Sequence, residues 1–543
     1  MSVTNRNNRE IYLLILFGII FRMIMAIIHF THWDDIGVAN FIIELSQITE
    51  SDMDIVKRFS EFWTYAPLQI FFSKNLVNEN MSYALNVFMG RIPSLACGIL
   101  YVIVIYQLMY KMKSDEKYTI LLIVSIISLS WENIIYSAQM EPYSMGLLFS
   151  AIILYSVINN FYDTWDKTLW TTLMFSIGCY AQYQIFILVF VAYIVTFIGN
   201  MKNRKNAIRV LFAGVVNFLS SMPLLIFLFS SGKLSQSINW NAGKNDMFSY
   251  QIVGGGGYEN VKYAIIFWIR NIFLCFKYLF LANSFDIIAN ILTVILMICA
   301  GLGVYYIHHN KEYKLFAFFH DLLALIFVVM VTKGSLTLGP SRHILFIEPL
   351  WILLIYFGII QLSNIKTISF YRKKIVITIT FLVITLFVFS IPNEVASRRN
   401  LISEKYLCHL MEKYNPRFVF SEGSLDDLFL VDIDGFSNHS MSLGNGWLQS
   451  PDIDVSPHNN DNIILMSKYY TIEDLKDNEN RMKQQLLERI NSFNLDIKWG
   501  DLDSYTIVYK KEIQTDAEVE YARKYYWNHP NGLCLYVLKY NVE

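Results

Sequence analysis

A series of apolar runs, each near the roughly 17 to 25 residues that cross a hydrocarbon core, constrains this chain more than any other feature. The runs occupy residues 11–30, 88–110, 118–136, 143–158, 169–183, 184–198, 210–229, 285–307, 315–331, 344–360 and 375–391, a few of them slightly short. Within lipid every backbone N–H and C=O must be satisfied inside the protein, and consecutive apolar runs do this as helices. Composition agrees, since 54% hydrophobic against 16% charged residues is incompatible with an ordinary soluble globule. The predicted class is therefore a mainly α, polytopic membrane protein of about eleven transmembrane helices. A net charge of -1, with charges segregated by loop, leaves no basic face for nucleic acid.

The basic residues orient the spans. Arg6 and Arg9, Lys111 to Lys117, Lys202 to Arg209, Lys311 and Lys314, and Lys366 to Lys374 all fall on one set of loops, which is cytoplasmic if the N-terminus is inside. An odd span count then puts the loop after the first run, the turn at Glu141, the turn at 333–342 and the C-terminal segment outside. The boundary near 180–184 is read as a turn between two spans or as one kinked helix. The run at 263–282 would break the parity. Its charges, with Glu259 and Lys262 just before them, share one face at helical period, so it is expected to lie flat on the outer surface or to form a re-entrant hairpin; the alternative is a twelfth span. The first run lacks a small-residue cleavage site and reads as an uncleaved anchor. Arg22 sits near its middle and needs a partner or water there, while few other charges interrupt the runs.

Pro392 is expected to end the last span, giving a membrane domain at 1–392 and a separate soluble extracytoplasmic α/β domain at 393–543. Amphipathic helices are predicted at 397–414 and 472–493, and strands at 417–420, 428–433, 462–466, 505–510 and 533–539. About 150 residues suffice to bury an independent core. This segment has no phosphate loop or nucleophile elbow. Cys97, Cys179, Cys275 and Cys299 read as small hydrophobes, while Cys408 and Cys534 are either free or bridged. Neither a CxxC pair nor an HExxH helix is present, and Asn438-His439-Ser440 is a glycosylation sequon that matters only in a eukaryotic secretory route.

The chemistry-bearing residues cluster on the predicted outer side. Asp34 and Asp35, in His32-Trp33-Asp34-Asp35, follow the first span by a few residues. Adjacent carboxylates at a membrane surface are costly to desolvate unless they bind a cation, activate a nucleophile or face water; the plain alternative is that they end the helix in the wet interface. Glu141-Pro142 could be an ordinary helix start or a substrate contact. Lys333, Arg342 and His343 flank a short outer turn.

These residues recur in an order that resembles a known family. Trp33-Asp34-Asp35 is followed by Tyr65-Ala66-Pro67-Leu68-Gln69-Ile70-Phe71-Phe72, then Gly90-Arg91-Ile92-Pro93-Ser94, then Tyr136-Ser137-Ala138-Gln139-Met140-Glu141-Pro142-Tyr143, then Pro340-Ser341-Arg342-His343-Ile344-Leu345. Over roughly residues 10 to 362 the chain is similar to the GT-C membrane glycosyltransferases of the protein O-mannosyltransferase and aminoarabinose-transferase kind. That family usually carries Asp-Glu at the Asp34-Asp35 position and arginine at the Glu141 position, so the charge at the latter is reversed.

The resemblance implies an inverting transfer of a sugar from a polyprenyl-phosphate-linked donor to a glycan, lipid or protein acceptor of the cell envelope. Asp34 would be the general base. Asp35 would orient the acceptor or hold a metal, a divalent cation being the only cofactor suggested. Arg342, helped by Lys333, would neutralise the departing phosphate, which a guanidinium can grip with two nitrogens. His343 would be a second phosphate contact or an interfacial residue. Tyr65 and Pro67 would line the cavity, or else form a turn before a surface helix. The competing readings are a polysaccharide polymerase or ligase with a lipid-diphosphate donor, and a non-catalytic transporter of lipid-linked sugars. A transporter would need polar or broken helices along its path.

Overall fold

The computed structural model describes residues 9–27, 67–77, 81, 83–113, 115–230, 261–280, 286–332, 336, 338, 342–362, 370–397 and 413, together with five strands between 418 and 540. The helices, in chain order, are α1 (Arg9–Ile27), α2 (Pro67–Leu76), α3 (Tyr83–Met112), α4 (Lys117–Leu129), α5 (Trp131–Ser137), α6 (Tyr143–Ile158), α7 (Trp165–Ala181), α8 (Ile185–Asn200), α9 (Arg204–Ser230), α10 (Val261–Phe280), α11 (Asp286–His309), α12 (Lys314–Thr332), α13 (Glu348–Leu362) and α14 (Arg372–Ser397). Short 3-10 turns at Lys311–Tyr313 and Arg342–Ile347 lead into α12 and α13. The strands are β1 (Phe418–Ser421), β2 (Ser440–Ser442), β3 (Asn462–Tyr469), β4 (Tyr505–Gln514) and β5 (Gly532–Tyr540).

Each predicted apolar run contains a helix among its described residues. Among the described residues seven helices are long and apolar enough to cross a membrane, or eight if the bent pair α4 and α5 counts as one span. The chain is thus a multi-pass membrane protein whose helical part matches the predicted class. Helices α6 and α8, of 16 residues each, are apolar but shorter; at 1.5 Å per residue they reach about 24 Å, less than the typical core. The doubtful boundary near 180–184 is a true break, since Gln182 is extended with φ -157 between α7 and α8. Pro392 does not end the last helix. The apolar stretch stops there, but α14 continues to Ser397 with the proline inside it.

The predicted cytoplasmic loops gather at one end of the bundle. Lys117 pairs with Glu10 at 2.8 Å, and Arg372 grips Glu116 through two nitrogens at 3.0 and 2.9 Å. Lys111 lies over Tyr155, Lys113 over Tyr306 and Lys373 over Tyr118, while Arg209 donates to the Tyr162 carbonyl at 3.2 Å.

Inside the bundle the pair α4 and α5 is bent by 52° at Ser130. A break in a span frees carbonyls that lipid cannot satisfy. Arg22 of α1, fully buried, caps them: its terminal nitrogens donate to Ile127 O at 2.9 Å and Ser128 O at 2.9 Å, and its Nε to Ser137 Oγ at 3.3 Å. Ser137 in turn donates to the Asn133 carbonyl. Asn133 Nδ2 donates to Glu348 Oε1 at 2.7 Å, and the Tyr101 hydroxyl to the same oxygen at 3.1 Å. One polar chain therefore joins α1, α3, α5 and α13. Ser130 Oγ adds α10 through Leu279 O at 2.7 Å, and Trp131 adds α14 through Ser390 at 2.6 Å.

The sequence reading of few buried charges does not hold: besides Arg22, the side chains of Arg91, Glu132, Lys277 and Glu348 are buried. Glu348 and Glu132 lie in the first turns of α13 and α5, Lys277 lies in the last turn of α10, and Arg91 reaches the Ala26 carbonyl from within α3. Helix α10 also departs from a surface-lying helix. Arg270 is exposed, but Leu274 to Lys277, Leu279 and Phe280 are buried, and Phe276 stacks on Trp351 at 4.6 Å.

The closest helix pairing is α11 on α13. A methyl group added at Gly303 would overlap the backbone of Leu354, and one at Gly358 the carbonyl of Cys299, so small residues let the two backbones touch.

Contacts divide the chain into two units, and near the C-terminus the boundary falls between Ile391 and Pro392. In the second unit the strands form one mixed sheet in the order β2-β1-β3-β5-β4, with β1 parallel to β2 and β3, and β5 antiparallel to β3 and β4. Four predicted strands coincide with β1, β3, β4 and β5; β2 was not foreseen, and the strand predicted at 428–433 lies outside the described residues. The helices predicted at 397–414 and 472–493 lie almost wholly outside them too. The apolar β3 and β5 occupy interior positions, while β4, with Lys510, Lys511 and Glu512, is an edge strand of the charged kind that resists further pairing.

Two outcomes follow for stability of the solubilised protein. Arg22→Ala should cost about 3 to 5 kcal/mol by uncapping the break and leaving Glu348 without its cation, seen as a lowered thermal midpoint; adding Glu348→Gln should cost less than the sum of the single variants, and strict additivity would contradict the coupling. Gly358→Ala should lower the midpoint sharply, whereas Gly301→Ala, where an added methyl meets nothing within 4 Å, should not.

Candidate functional site

Three of the sequence segments meet at the end of α1 opposite its Glu10 end. The first turns of α2 contribute Gln69 and Ser73, α3 contributes Gly90, Arg91 and Ser94, and the turn between α5 and α6 contributes Met140 and Glu141. The four polar side chains besides Glu141 are at most 1% exposed, and Glu141 is 0% exposed. Ser94 Oγ sits between the segments, 2.9 Å from the Glu141 carbonyl oxygen and 3.1 Å from Gln69 Oε1. Gln69 Nε2 donates to Ser73 Oγ at 3.0 Å, and Ser73 Oγ donates to Gly90 O at 2.6 Å. Arg91 Nη1 reaches Ala26 O at 3.1 Å, in the last turn of α1, eight residues before Asp34 in the chain.

Local sequence explains the assembly. Gly90 lacks a side chain where Met140 packs, since a Cβ there would come within 2.5 Å of its sulfur. Pro93 follows within α3, and a proline inside a helix leaves a carbonyl one turn back without its helical N–H. The Gly90 carbonyl, next to the one freed, accepts a bond from Ser73. Glu141 is not a solvated first-turn acid. Pro142 occupies the cap position of α6 and Glu141 precedes it, held inside with its backbone carbonyl engaged by Ser94.

A second group lies on the other side of the same turn. Tyr136, whose ring packs edge-on against Tyr143 at 5.3 Å, faces the Tyr278 hydroxyl of α10 at 3.1 Å. Glu132, buried in the first turn of α5, lies on the same segment as Tyr136. Gln139, 3% exposed, completes the buried polar residues of this segment.

Of the predicted site residues, Asp34, Asp35, Tyr65 and Lys333 lie outside the described residues. Arg342 and His343 open the 3-10 turn Arg342–Ile347, which packs along α6 and ends at Glu348, the carboxylate of the Arg22 chain. Ile344 to Ile347 of that turn are buried. The turn bearing Arg342 and the turn bearing Glu141 thus share α6 as their support. Sequence reasoning assigned no role to Gln69, Ser73, Arg91, Ser94 or Glu132. The available signal was their polarity inside or beside apolar runs, with Arg91 and Ser94 one helical turn apart.

The cluster can hold the α5–α6 turn and the end of α1 rigidly in one place, and it presents buried hydrogen-bonding groups of both signs. No family model matches the chain, and no curated protein matches it significantly.

Ser94→Ala removes the one buried hydroxyl that can donate to the Glu141 carbonyl or to Gln69 Oε1 and should cost about 1 to 3 kcal/mol. The check is the thermal midpoint of the intact protein in detergent; an unchanged midpoint would show that Ser94 does not join these segments.

Proposed function

We propose that this chain is a membrane glycosyltransferase that moves a sugar from a polyprenyl-phosphate donor to a cell-envelope acceptor on the outer face of the membrane. The observation that supports this most is the convergence of Gln69, Gly90 to Ser94 and Glu141 on the end of α1 that leads toward Asp34 and Asp35, away from the end where the basic loops gather. Segments far apart in sequence are thereby brought to the side where a carboxylate pair and the turn carrying Lys333 and Arg342 are expected.

In the proposed reaction the acceptor hydroxyl attacks the anomeric carbon as Asp34 removes its proton, and the bond from that carbon to the phosphate oxygen breaks. The polyprenyl phosphate departs with the electron pair, its charge met by Arg342 and Lys333. The configuration inverts because attack and departure occur on opposite faces. Asp35 orients the acceptor or holds a divalent cation. An apolar groove between α10 and α11, lined by Ile269, Phe273, Val294, Met297 and Ile298 with Arg270 beside them, suits an isoprenoid chain with a phosphate at its end. The C-terminal unit is read as an extracytoplasmic α/β domain built on the mixed sheet.

A carrier of lipid-linked sugars is the second reading, favoured by the broken span at Ser130 and its buried charges. Against it, Arg22 already satisfies the carbonyls at the break, leaving them unavailable to cargo.

Asp34→Asn should reduce sugar transfer by about 10² to 10⁴-fold with lipid binding retained; near-normal turnover would remove Asp34 from the mechanism. In a donor-binding titration Arg342→Ala should weaken affinity for the phosphate-linked donor by about tenfold or more, and unchanged affinity would exclude that contact.

A further inference from the structure

Three metal-ligating side chains converge where α11 and α12 form a hairpin. His308 Nε2, in the last turn of α11, lies 3.1 Å from Asp321 Oδ1, and His320 Nδ1 lies 3.0 Å from the same oxygen. The three donor atoms fall within 4.8 Å of one another. Ligands around a tetrahedral zinc ion, at about 2.0 to 2.2 Å from it, stand about 3.3 to 3.5 Å apart. The two nitrogen-to-oxygen separations are already close to that spacing.

The surroundings give a second reason for a cation. Asp321 lies within the apolar stretch Lys311–Val331, and Phe318 and Leu325, one turn to either side, are exposed apolar residues. Its carboxylate is 51% exposed on that face, and its ion-pairing partners among the described residues are these two histidines. A carboxylate on an apolar, lipid-facing helix is stable only when neutralised. Two neutral imidazoles and one carboxylate form a donor set that suits borderline divalent ions and leaves a coordination position for water. Neighbouring His309 takes a different course: its ring stacks on Tyr305 at 3.9 Å, and its Nδ1 faces the Tyr305 carbonyl at 2.9 Å.

We propose that His308, His320 and Asp321 bind one divalent transition-metal ion of the zinc class, clasping α11 to α12. This site is separate from the Glu141 cluster, and it stands or falls independently of glycosyl transfer because its readout is metal uptake.

The test uses the full chain in detergent with any affinity tag removed, stripped with chelator and titrated with Co²⁺ and then Zn²⁺. The expected result is uptake of one equivalent of Co²⁺ with visible absorption of a low-symmetry nitrogen and oxygen site, displaced by Zn²⁺. The variants His308→Ala, His320→Ala and Asp321→Asn should each weaken binding by at least about tenfold, while His309→Ala leaves it unchanged. Zn²⁺ should raise the thermal midpoint of the parent but not of His308→Ala; equal midpoints of the two in chelator establish that the variant is folded. Absence of stoichiometric uptake, or uptake unaffected in the His308→Ala/His320→Ala double variant, overturns the proposal and leaves a hydrogen-bonded His-Asp-His group.

Discussion

The capping of the broken span by Arg22 is the interaction on which the helical bundle depends. A bend of 52° inside a membrane helix strands backbone carbonyls in a medium that offers them no donor. The guanidinium supplies several donors in one rigid plane, and it reaches the carbonyls of Ile127 and Ser128 together with Ser137. Its own charge is then balanced through Asn133 and Tyr101, which hold the Glu348 carboxylate. Because Ser130 and Trp131 at the bend also bind α10 and α14, five other helices, α1, α3, α10, α13 and α14, are tied to the broken span. A lysine could not substitute, since a point charge cannot address two carbonyls and a hydroxyl in fixed directions.

That arrangement also positions the candidate site. Helix α5 leaves the bend and delivers the turn containing Met140 and Glu141, while α13 begins at Glu348, directly after the 3-10 turn that opens with Arg342. The polar chain in the middle of the bundle therefore sets where both turns emerge. Ser94 and Gln69 complete the positioning from α3 and α2. Close helix contact at Gly303 and Gly358 serves the same end, because it fixes α13 against α11 by backbone shape without requiring a hydrophobic driving force that lipid does not supply.

The helical class and the position of each apolar run were legible because lipid imposes a length and a composition that survive in the sequence. Gln182 and Gln184 mark a boundary that the sequence leaves open between a turn and a kink, while β5 was legible as a run of apolar and aromatic residues. Other features were not legible for physical reasons. Nothing in the composition of 118–136 distinguishes a straight span from one bent at Ser130, since the signal lies 106 residues away in Arg22. The buried placement of Lys277 contradicts the helical-period argument that put it on a solvent face with Arg270, because periodicity gives an angle around the helix and not a depth in the bundle. The sequence leaves Glu141 open between a helix-start acid and a substrate contact, and only its burial and the bond from Ser94 to its backbone carbonyl set it inside. The motif order pointed to a site, but three distant segments sharing one serine is a fact of three-dimensional packing.

The most direct test of the proposed activity is native mass spectrometry of the gently solubilised full chain, before and after incubation with an envelope acceptor fraction. The account predicts a co-purifying polyprenyl monophosphate sugar that is converted to bare polyprenyl phosphate as the acceptor gains the sugar. A bound diphosphate-linked oligosaccharide, a monophosphate sugar that is never turned over, or a protein that binds neither native nor added lipid carriers would contradict it.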